Sequence, residues 1–268
     1  MPYEHELAVA LDAAGLAARL VLEHYRHFEK VPDARADIST IADREAQEII
    51  LHHLRDAFPG DDLCAEEQTP ALAGAAHTGP RLWVVDPIDG TRGFARKNGE
   101  FSVMIAFVEG GEVAVGVVLE PALDRLTYAV RGGGCWRRDG AEEAGRCRVS
   151  TTDSLAAATL VQSHSRSPQE PGWPVKALGP GRVVETYSAG VKLARVARGE
   201  ADLYVNTYAA FHDWDICAGH LLVDEAGGRV TGLGGEELHY GLPGAWQRHG
   251  LLATNAVFHD AALQRLKR

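Results

Sequence analysis

Residues 82–91 read Leu82-Trp83-Val84-Val85-Asp86-Pro87-Ile88-Asp89-Gly90-Thr91. The apolar run predicts a buried strand that delivers two carboxylates, a glycine and a threonine to its C-terminal end. Proline fixes its own φ, so the Ile88 carbonyl is presented in a set direction between the two carboxylates. These oxygens suit a hard cation, and free N–H groups at Gly90 and Thr91 suit a phosphate. The alternative for this segment alone is an ordinary turn followed by a helix cap.

The composition narrows the class of protein around this stretch. The chain has 268 residues, 46% of them hydrophobic, and a formal net charge of −10. This charge argues against nonspecific binding to nucleic acid or to an anionic membrane surface. The four cysteines form no C-x-x-C pair, and no apolar run reaches the roughly 18 residues of a membrane span. We therefore expect a cytoplasmic protein with reduced thiols.

Hydrophobic spacing predicts helices first and strands afterwards. Apolar residues at three-to-four spacing predict helices over about 4–28 and 41–58, and Pro59-Gly60 ends the second. Further on, two apolar runs flank a Glu-Gly-Gly-Glu turn, which predicts a β-hairpin. The predicted strands of this first half are 63–65, 82–85, 101–108, 113–119 and 126–130.

The second half alternates between short strands and helices. The predicted elements are strands at 159–161, 201–205 and near 230, a helix near 191–198 and a helix that begins near 214. Helices on strands in mixed order indicate a layered α/β sandwich. We expect two closely packed halves, 1–150 and 151–268, which share a cleft.

Acidic residues recur at the ends of the predicted elements. Besides Asp86 and Asp89, they are Asp43, Glu66 with its neighbour Glu67, and Asp215. Each alone is typical of a solvated surface carboxylate. However, Glu66 follows an apolar run, and Asp215 begins a small, apolar helix that a protein can bury. Several such acids around one turn favour a metal site.

Three motifs together resemble a known superfamily. They are Leu63-Cys64-Ala65-Glu66-Glu67, the segment 83–91, and Trp214-Asp215-Ile216-Cys217-Ala218-Gly219. Their order and sequence resemble the signatures of the inositol monophosphatase superfamily. Its members are Mg²⁺-dependent, lithium-sensitive phosphatases, which include fructose-1,6-bisphosphatases and bisphosphate nucleotidases. The resemblance implies a five-layer α/β/α/β/α sandwich of the inositol monophosphatase and fructose-1,6-bisphosphatase type.

The resemblance also implies a role for each acid. Glu66, Asp86 and the Ile88 carbonyl would hold one Mg²⁺, and Asp86, Asp89 and Asp215 a second; Glu66 would also touch a third, weaker ion. Such ions neutralise a phosphate and lower the pKa of an attacking water. The N–H groups of Gly90 and Thr91 would hold the phosphate. The Thr91 hydroxyl, supported by Asp43, would orient the water, and Glu67 would assist from outside the ligand set.

Three further segments resemble the bacterial 3′(2′),5′-bisphosphate nucleotidase branch. They are Asn98-Gly99-Glu100-Phe101-Ser102-Val103, Ser163-His164-Ser165-Arg166 and Ser188-Ala189-Gly190-Val191-Lys192. The resemblance implies removal of the 3′-phosphate from adenosine 3′,5′-bisphosphate. A second phosphate needs a cationic anchor, for which Arg166 and Lys192 are candidates, with Ser188 and His164 beside them. The alternative is that both cations are solvated charges.

The motifs leave several alternatives open. Inositol 1-phosphate, histidinol phosphate and sugar phosphates remain possible substrates of a phosphatase of this superfamily. His212 and Asp213 are weaker candidates for contact with a sugar. A member of a different class would be a noncatalytic binding or regulatory protein, which the complete set of expected ligands disfavours. A homodimer is a further expectation from the resemblance.

Overall fold

The computed structural model describes residues 2–35, 38–75, 78–165, 170–208 and 211–267. Its helices lie at both ends of the chain and between the strand-rich segments. The helices are α1 (Glu4–His27), α2 (Ile41–Ala57), α3 (Thr91–Ala95), α4 (Trp173–Leu178), α5 (Ala189–Ala197), α6 (Asp213–Glu225) and α7 (His259–Leu266), with a 3₁₀ turn at Pro121–Leu123.

A seven-stranded sheet follows the order of the chain. Its strands are β1 (Asp62–Ala65), β2 (Arg81–Asp89), β3 (Ser102–Glu109), β4 (Glu112–Glu120), β5 (Arg125–Val130), β6 (Gly134–Asp139) and β7 (Gly145–Arg146). Only β1 and β2 are parallel; every later pair is antiparallel. A tight turn at Gly110-Gly111 joins β3 to β4, whereas the segment that contains α3 joins β2 to β3.

A five-stranded sheet is built from the second half of the chain. In spatial order its strands are β12 (Arg229–Thr231), β14 (Leu251–Thr254), β10 (Leu203–Asn206), β8 (Thr159–Gln162) and β9 (Arg182–Glu185). Strands β8, β9 and β10 are parallel, and β14 runs antiparallel to β10 and β12. A separate two-stranded ribbon joins β11 (Phe211–His212) to β13 (Trp246–Gln247).

Alternation along β2 explains why helices cover both faces of the first sheet. Trp83 and Val85 pack with α1 and α2, whereas Leu82 and Val84 pack with α5 and α6. Successive side chains of a strand point to opposite faces, so a strand that is apolar at every position must be buried on both sides. Helices α5 and α6 also contact the second sheet, whose far face packs against α4 and α7.

The layers are therefore α/β/α/β/α, as the sequence motifs imply. The sequence correctly predicts α1, α2, β1 to β5 and the elements of the second half that it names. It gives no prediction for the short helices α3 and α4, for β6, β7, β9, β13 and β14, or for α7. These elements are short, and their positions depend on pairing with strands or helices remote in sequence. The division near residue 150 stays a prediction.

Candidate metal and phosphate site

Parallel pairing of β1 and β2 brings Glu66 beside Asp86. Ala65 is the partner of Val85 in the register, and the Glu66 N–H donates to the Val85 carbonyl at 3.3 Å. The next residue along each chain segment carries a carboxyl group, and the two groups are close enough for each to affect the pKa of the other. The pairing of two strands thus places acids that are 20 positions apart in sequence at one point.

Asp89 lies at the irregular end of β2 and is tied to α5. The pairing with β3 is interrupted between Asp86 and Asp89, so both carboxylates are presented on the same end of the sheet. Oδ2 of Asp89 accepts a hydrogen bond from the Ser188 hydroxyl and another from the Gly190 N–H at 2.6 Å. Asp89 is 7% exposed. These donors stabilise its charged form and fix its orientation.

Asp215 completes the acidic cluster, which we define as Glu66, Asp86, Asp89 and Asp215. It occupies the third position of α6, where its Oδ2 accepts from the His212 N–H at 2.6 Å. This capping interaction satisfies a free donor at the helix start and fixes the side chain. All four residues line one cleft of about 450 Å³. The ends of β1 and β2 and the start of α6 therefore meet in one site, and the start of α5 supplies donors that orient Asp89.

Burial and mutual repulsion raise the pKa of the acidic cluster. Burial raises the pKa of Asp86 well above its ordinary value, and the neighbouring carboxylates raise it further. The same two causes raise the pKa of Glu66 to about 8, although Glu66 faces the open side of the cleft where solvent reaches it. Burial also raises the pKa of Asp215 to about 7. A cation placed among these groups would favour their charged forms.

Thr91 and Asp43 form a second polar pair at the edge of the cleft. The Thr91 hydroxyl lies 3.0 Å from Oδ1 of Asp43 and 3.0 Å from the Ile88 carbonyl oxygen, and it shares one proton between them. Asp43 is fully buried at the third position of α2, where the N–H and hydroxyl of Thr40 donate to Oδ2 at 2.8 and 2.6 Å. Burial raises the pKa of Asp43 to about 6.

Gly90 makes the turn between β2 and α3 possible. Its φ is 88°, a left-handed conformation that side chains rarely adopt. A Cβ at this position would lie 2.7 Å from the Glu100 carbonyl oxygen. The backbone therefore passes close to its neighbour and exposes the start of α3 to the cleft. Glycine is required here by both conformation and space.

The donor set of the acidic cluster fits a hard divalent cation. Carboxylate oxygens and the Ile88 carbonyl are the ligands that Mg²⁺ prefers in proteins. Across the described ranges, no three His, Cys, Asp or Glu side chains form a ready metal cage. Glu66 and Asp86 do lie side by side in the cleft, where a bound cation would offset their mutual repulsion. The oxygen ligands of the acidic cluster therefore fit the Mg²⁺ that the motifs imply.

Comparison with known proteins matches residues 3–268 of this chain to a family model. The matching description is the inositol monophosphatase family. This chain belongs to it. The histidinol-phosphatase of Mycobacterium tuberculosis is 31% identical over 266 residues, which is 97% of both chains. The 3′(2′),5′-bisphosphate nucleotidase CysQ of Salmonella typhimurium is 35% identical over 202 residues, 75% of this chain and 78% of the relative.

A solved structure from the same family shares the fold. The Thermotoga maritima IMPase superposes with a TM-score of 0.81 at 31% identity, covering 98% of this chain and 96% of the other. The inositol monophosphatase family consists of phosphatases, so this chain is a phosphatase of that family. Members are generally Mg²⁺-dependent. In the described part of the chain, no helix is long and apolar enough to cross a membrane.

The structure corrects the expectation for Lys192 and Ser188. Both residues are buried, at 1% and 0% exposure, and neither lines the cleft. The Lys192 ammonium donates to the carbonyl oxygens of Tyr187 and Ser188 at 2.9 Å each. Its charge also faces Asp89. Lys192 is thus neither a substrate anchor nor a solvated charge, because burial and local carbonyl partners hold its ammonium inside the protein.

The other substrate candidates have different outcomes. Arg166 lies outside the described residues. His164 is half-buried and binds Glu100 through Nε2 at 2.7 Å, beside the ring of Tyr187 at 4.3 Å. Asp213 is buried and accepts from the Gly241 N–H and the Gln247 amide. His212 stacks on Trp214 with ring centroids 4.2 Å apart.

Four residues that line the cleft were not identified from the sequence, namely Ile38, Ser39, Arg92 and Tyr187. Tyr187 and Arg92 line it together with the acidic cluster. Arg92 directly follows Thr91, and that adjacency was the available signal. Tyr187 directly precedes Ser188 in a segment that the motifs had already marked. Glu67, by contrast, was expected, and the structure places it in the cleft with its Oε1 accepting from the Ser39 hydroxyl at 2.7 Å.

Proposed function

We propose that this chain is a Mg²⁺-dependent phosphomonoesterase that removes the 3′-phosphate from adenosine 3′,5′-bisphosphate. One observation carries the catalytic part of the proposal. The acidic cluster and the Thr91–Asp43 pair lie on one cleft, with the Gly90 turn between them. Cation ligands and a positioned hydroxyl thus meet at the start of a helix with free N–H groups. Bound there, Mg²⁺ would neutralise the phosphate and lower the pKa of a water.

The chain's own residues divide the remaining work. Glu66, Asp86, Asp89, Asp215 and the Ile88 carbonyl would hold two to three cations. The N–H groups of Gly90 and Thr91 would bind the phosphate oxygens, since the start of a helix attracts anions. Oδ1 of Asp43 accepts a hydrogen bond from the Thr91 hydroxyl. The Thr91 oxygen then has lone pairs left to accept a hydrogen bond from water, which directs the water oxygen toward phosphorus.

The substrate part of the proposal rests on sequence similarity. The CysQ relative carries the nucleotidase name, and residues 98–103 and 163–166 resemble that branch. Histidinol phosphate is the second candidate, because the histidinol-phosphatase relative aligns over 97% of both chains. Lithium inhibition is expected with either substrate, because Li⁺ would occupy a Mg²⁺ position without its full charge. A soluble location in the cytoplasm and a homodimer are further parts of this proposal.

The first experiment measures phosphate release with Mg²⁺, with and without Li⁺, on four substrates at equal concentration. They are adenosine 3′,5′-bisphosphate, histidinol phosphate, inositol 1-phosphate and fructose 1,6-bisphosphate. A roughly hundredfold preference in kcat/KM for the nucleotide, about 2.7 kcal/mol of transition-state binding, would support the proposal. A preference for histidinol phosphate would make it the substrate in place of the nucleotide and would leave the assignment of the metal site unchanged. Turnover that persists in excess chelator would contradict the metal-dependent mechanism.

A further inference from the structure

Arg92 in α3 and Arg96, the helical residue that directly follows α3, stand beside the ring of Tyr187. The Arg92 Cζ lies 5.0 Å and the Arg96 Cζ 5.8 Å from the centroid of this ring. Residues four positions apart lie on the same side of a helix, so this segment presents both guanidinium groups in one direction. Arg92 and Tyr187 also line the cleft that holds the acidic cluster. The phosphate-binding turn and this pair of cations are therefore neighbours.

Neither arginine has an acidic partner in the described part of the chain. Arg92 makes one hydrogen bond, from Nε to the Ala34 carbonyl oxygen at 3.2 Å, and this bond holds the side chain in place. The terminal nitrogens of Arg92 have no acceptor among the described residues. By contrast, Arg198 has a carboxylate partner, since Glu120 lies 2.7 Å from its guanidinium. In a chain with a net charge of −10, two adjacent guanidinium groups without a carboxylate indicate a place for an external anion.

Two carboxylates that contact the Tyr187 segment or His164 have partners other than the arginines. Oε2 of Glu100 binds His164 at 2.7 Å and accepts from the Tyr187 N–H at 3.2 Å. Oε1 of Glu185 accepts from the Ser165 N–H at 3.0 Å, and its Oε2 lies 3.4 Å from His164. Arg92 therefore meets the cleft that it lines without either of these acids as an ion-pair partner, and Arg96 lies beside it at the Tyr187 ring.

We propose that Arg92, Arg96 and Tyr187 form a subsite that binds a second phosphate of the substrate while the first phosphate lies at the acidic cluster. This inference rests on the proposed function and assigns its second-phosphate anchor to Arg92 and Arg96 rather than to Lys192. Guanidinium groups bind phosphate oxygens in pairs of parallel hydrogen bonds. The tyrosine ring supports both cations. The subsite therefore favours a nucleoside bisphosphate over a monophosphate.

The test compares adenosine 3′,5′-bisphosphate with adenosine 3′-monophosphate, which lacks only the second phosphate. Arg92→Gln and Arg96→Gln, singly and together, are measured with the wild type in saturating Mg²⁺. We expect the bisphosphate-to-monophosphate ratio of kcat/KM to fall about tenfold for each substitution, mainly through KM, because a charged hydrogen bond is lost. Arg92→Lys should restore part of the ratio. The exposed Arg182→Gln is the matched control and should leave the ratio unchanged.

The outcomes separate this inference from the proposed function. An equal loss on both substrates would show that the arginines only support the fold, and it would overturn the inference. Hydrolysis of both substrates with a wild-type ratio near one would also overturn it, while the phosphatase assignment stands. Hydrolysis of neither nucleotide, together with turnover of another phosphomonoester, would overturn the nucleotide assignment and this subsite with it. Thermal melting of each variant identifies any that fail to fold.

Discussion

Ser188 donates its hydroxyl proton to Oδ2 of Asp89, which connects the start of α5 to the end of β2. The same Ser188 oxygen accepts from the Val191 N–H at 2.9 Å and so caps α5. One side chain thereby fixes a helix of the middle layer and an acid of the metal site. Stability and cation binding are coupled at this residue.

Ser188→Ala tests this coupling. Loss of the cap and of one donor to a buried carboxylate should reduce the free energy of unfolding by about 2 kcal/mol. Because Asp89 is then less well oriented, the Mg²⁺ concentration for half-maximal activity should rise roughly 10- to 100-fold. Urea unfolding and a Mg²⁺ titration of phosphate release measure the two effects. Ser154→Ala, at an exposed serine, is the control. An unchanged Mg²⁺ dependence would show that Ser188 serves the helix alone.

Asp89→Asn tests the cation ligand directly. The amide oxygen can still accept from Ser188 and Gly190, so the fold should persist. Loss of the negative charge should lower kcat/KM by more than roughly 100-fold, since replacing groups outside the ligand set already costs 10- to 100-fold. Mg²⁺ should raise the Tm of the wild type and of the exposed control Asp153→Asn, but raise the Tm of the Asp89 variant much less. Retained Mg²⁺-dependent turnover would refute the assignment.

Arg198 and Glu120 form a buried ion pair that connects α5 to β4. Their side chains are 1% and 3% exposed and 2.7 Å apart, and Arg198 also binds Thr127 at 2.9 Å. Glu120→Gln leaves a buried cation that only the half-exposed Glu200 balances. We expect a loss of about 3 kcal/mol in the free energy of unfolding.

The control for this pair is Asp260→Asn at the surface, where Asp260 binds Arg229 at 2.9 Å and is 82% exposed. Its cost should stay below about 1 kcal/mol, because solvent screens exposed charges. Chemical denaturation measures both variants. Equal losses would mean that burial adds nothing to the Arg198–Glu120 pair.

His259 predicts a pH dependence of stability. It is 1% exposed, and its ring nitrogens lie 2.9 Å from the hydroxyls of Thr231 and Thr254. Burial first, and then the charge of Arg229, lower the pKa of His259 to about 4, whereas Asp260 and Asp224 oppose this shift. Between pH 6.5 and pH 4 the unfolded chain binds a proton that the folded protein does not. Stability is therefore lost as the pH falls through this window.

The measurement compares urea unfolding at pH 7 and pH 5 for the wild type and His259→Gln. Glutamine can bond to the threonines but does not titrate. One proton changes the free energy of unfolding by at most ~1.4 kcal/mol per pH unit, so the wild type should lose about 1–2 kcal/mol more than the variant. Identical slopes for the two proteins would show that His259 is protonated at the same pH in both states.

The residues of the acidic cluster could be predicted from the sequence, whereas the contact of Arg92 and Arg96 with Tyr187 could not. Asp86 and Asp89 follow an apolar strand in one motif, and Glu66 follows a strand parallel to it, so short segments determine their positions. The role of Lys192 was wrong because a lysine on a helix is exposed by default, and only tertiary structure shows its two carbonyl partners. Arg92, Arg96 and Tyr187 meet through the packing of α3 against the segment before α5, which no local pattern encodes.

Three helices begin beside the cleft, and an acid lies at the start of each. In two of them the acid belongs to the first turn, and in the third it accepts a hydrogen bond from an N–H of the first turn. Asp43 caps α2, Asp215 caps α6, and Asp89 accepts from Gly190 at the start of α5. A helix start carries roughly half a positive charge. The three helix starts together thus place the equivalent of about +1.5 elementary charges beside these acids. Because these dipoles belong to the backbone, part of the stabilisation of the charged acids survives the loss of any one side-chain donor, provided that the helices stay intact.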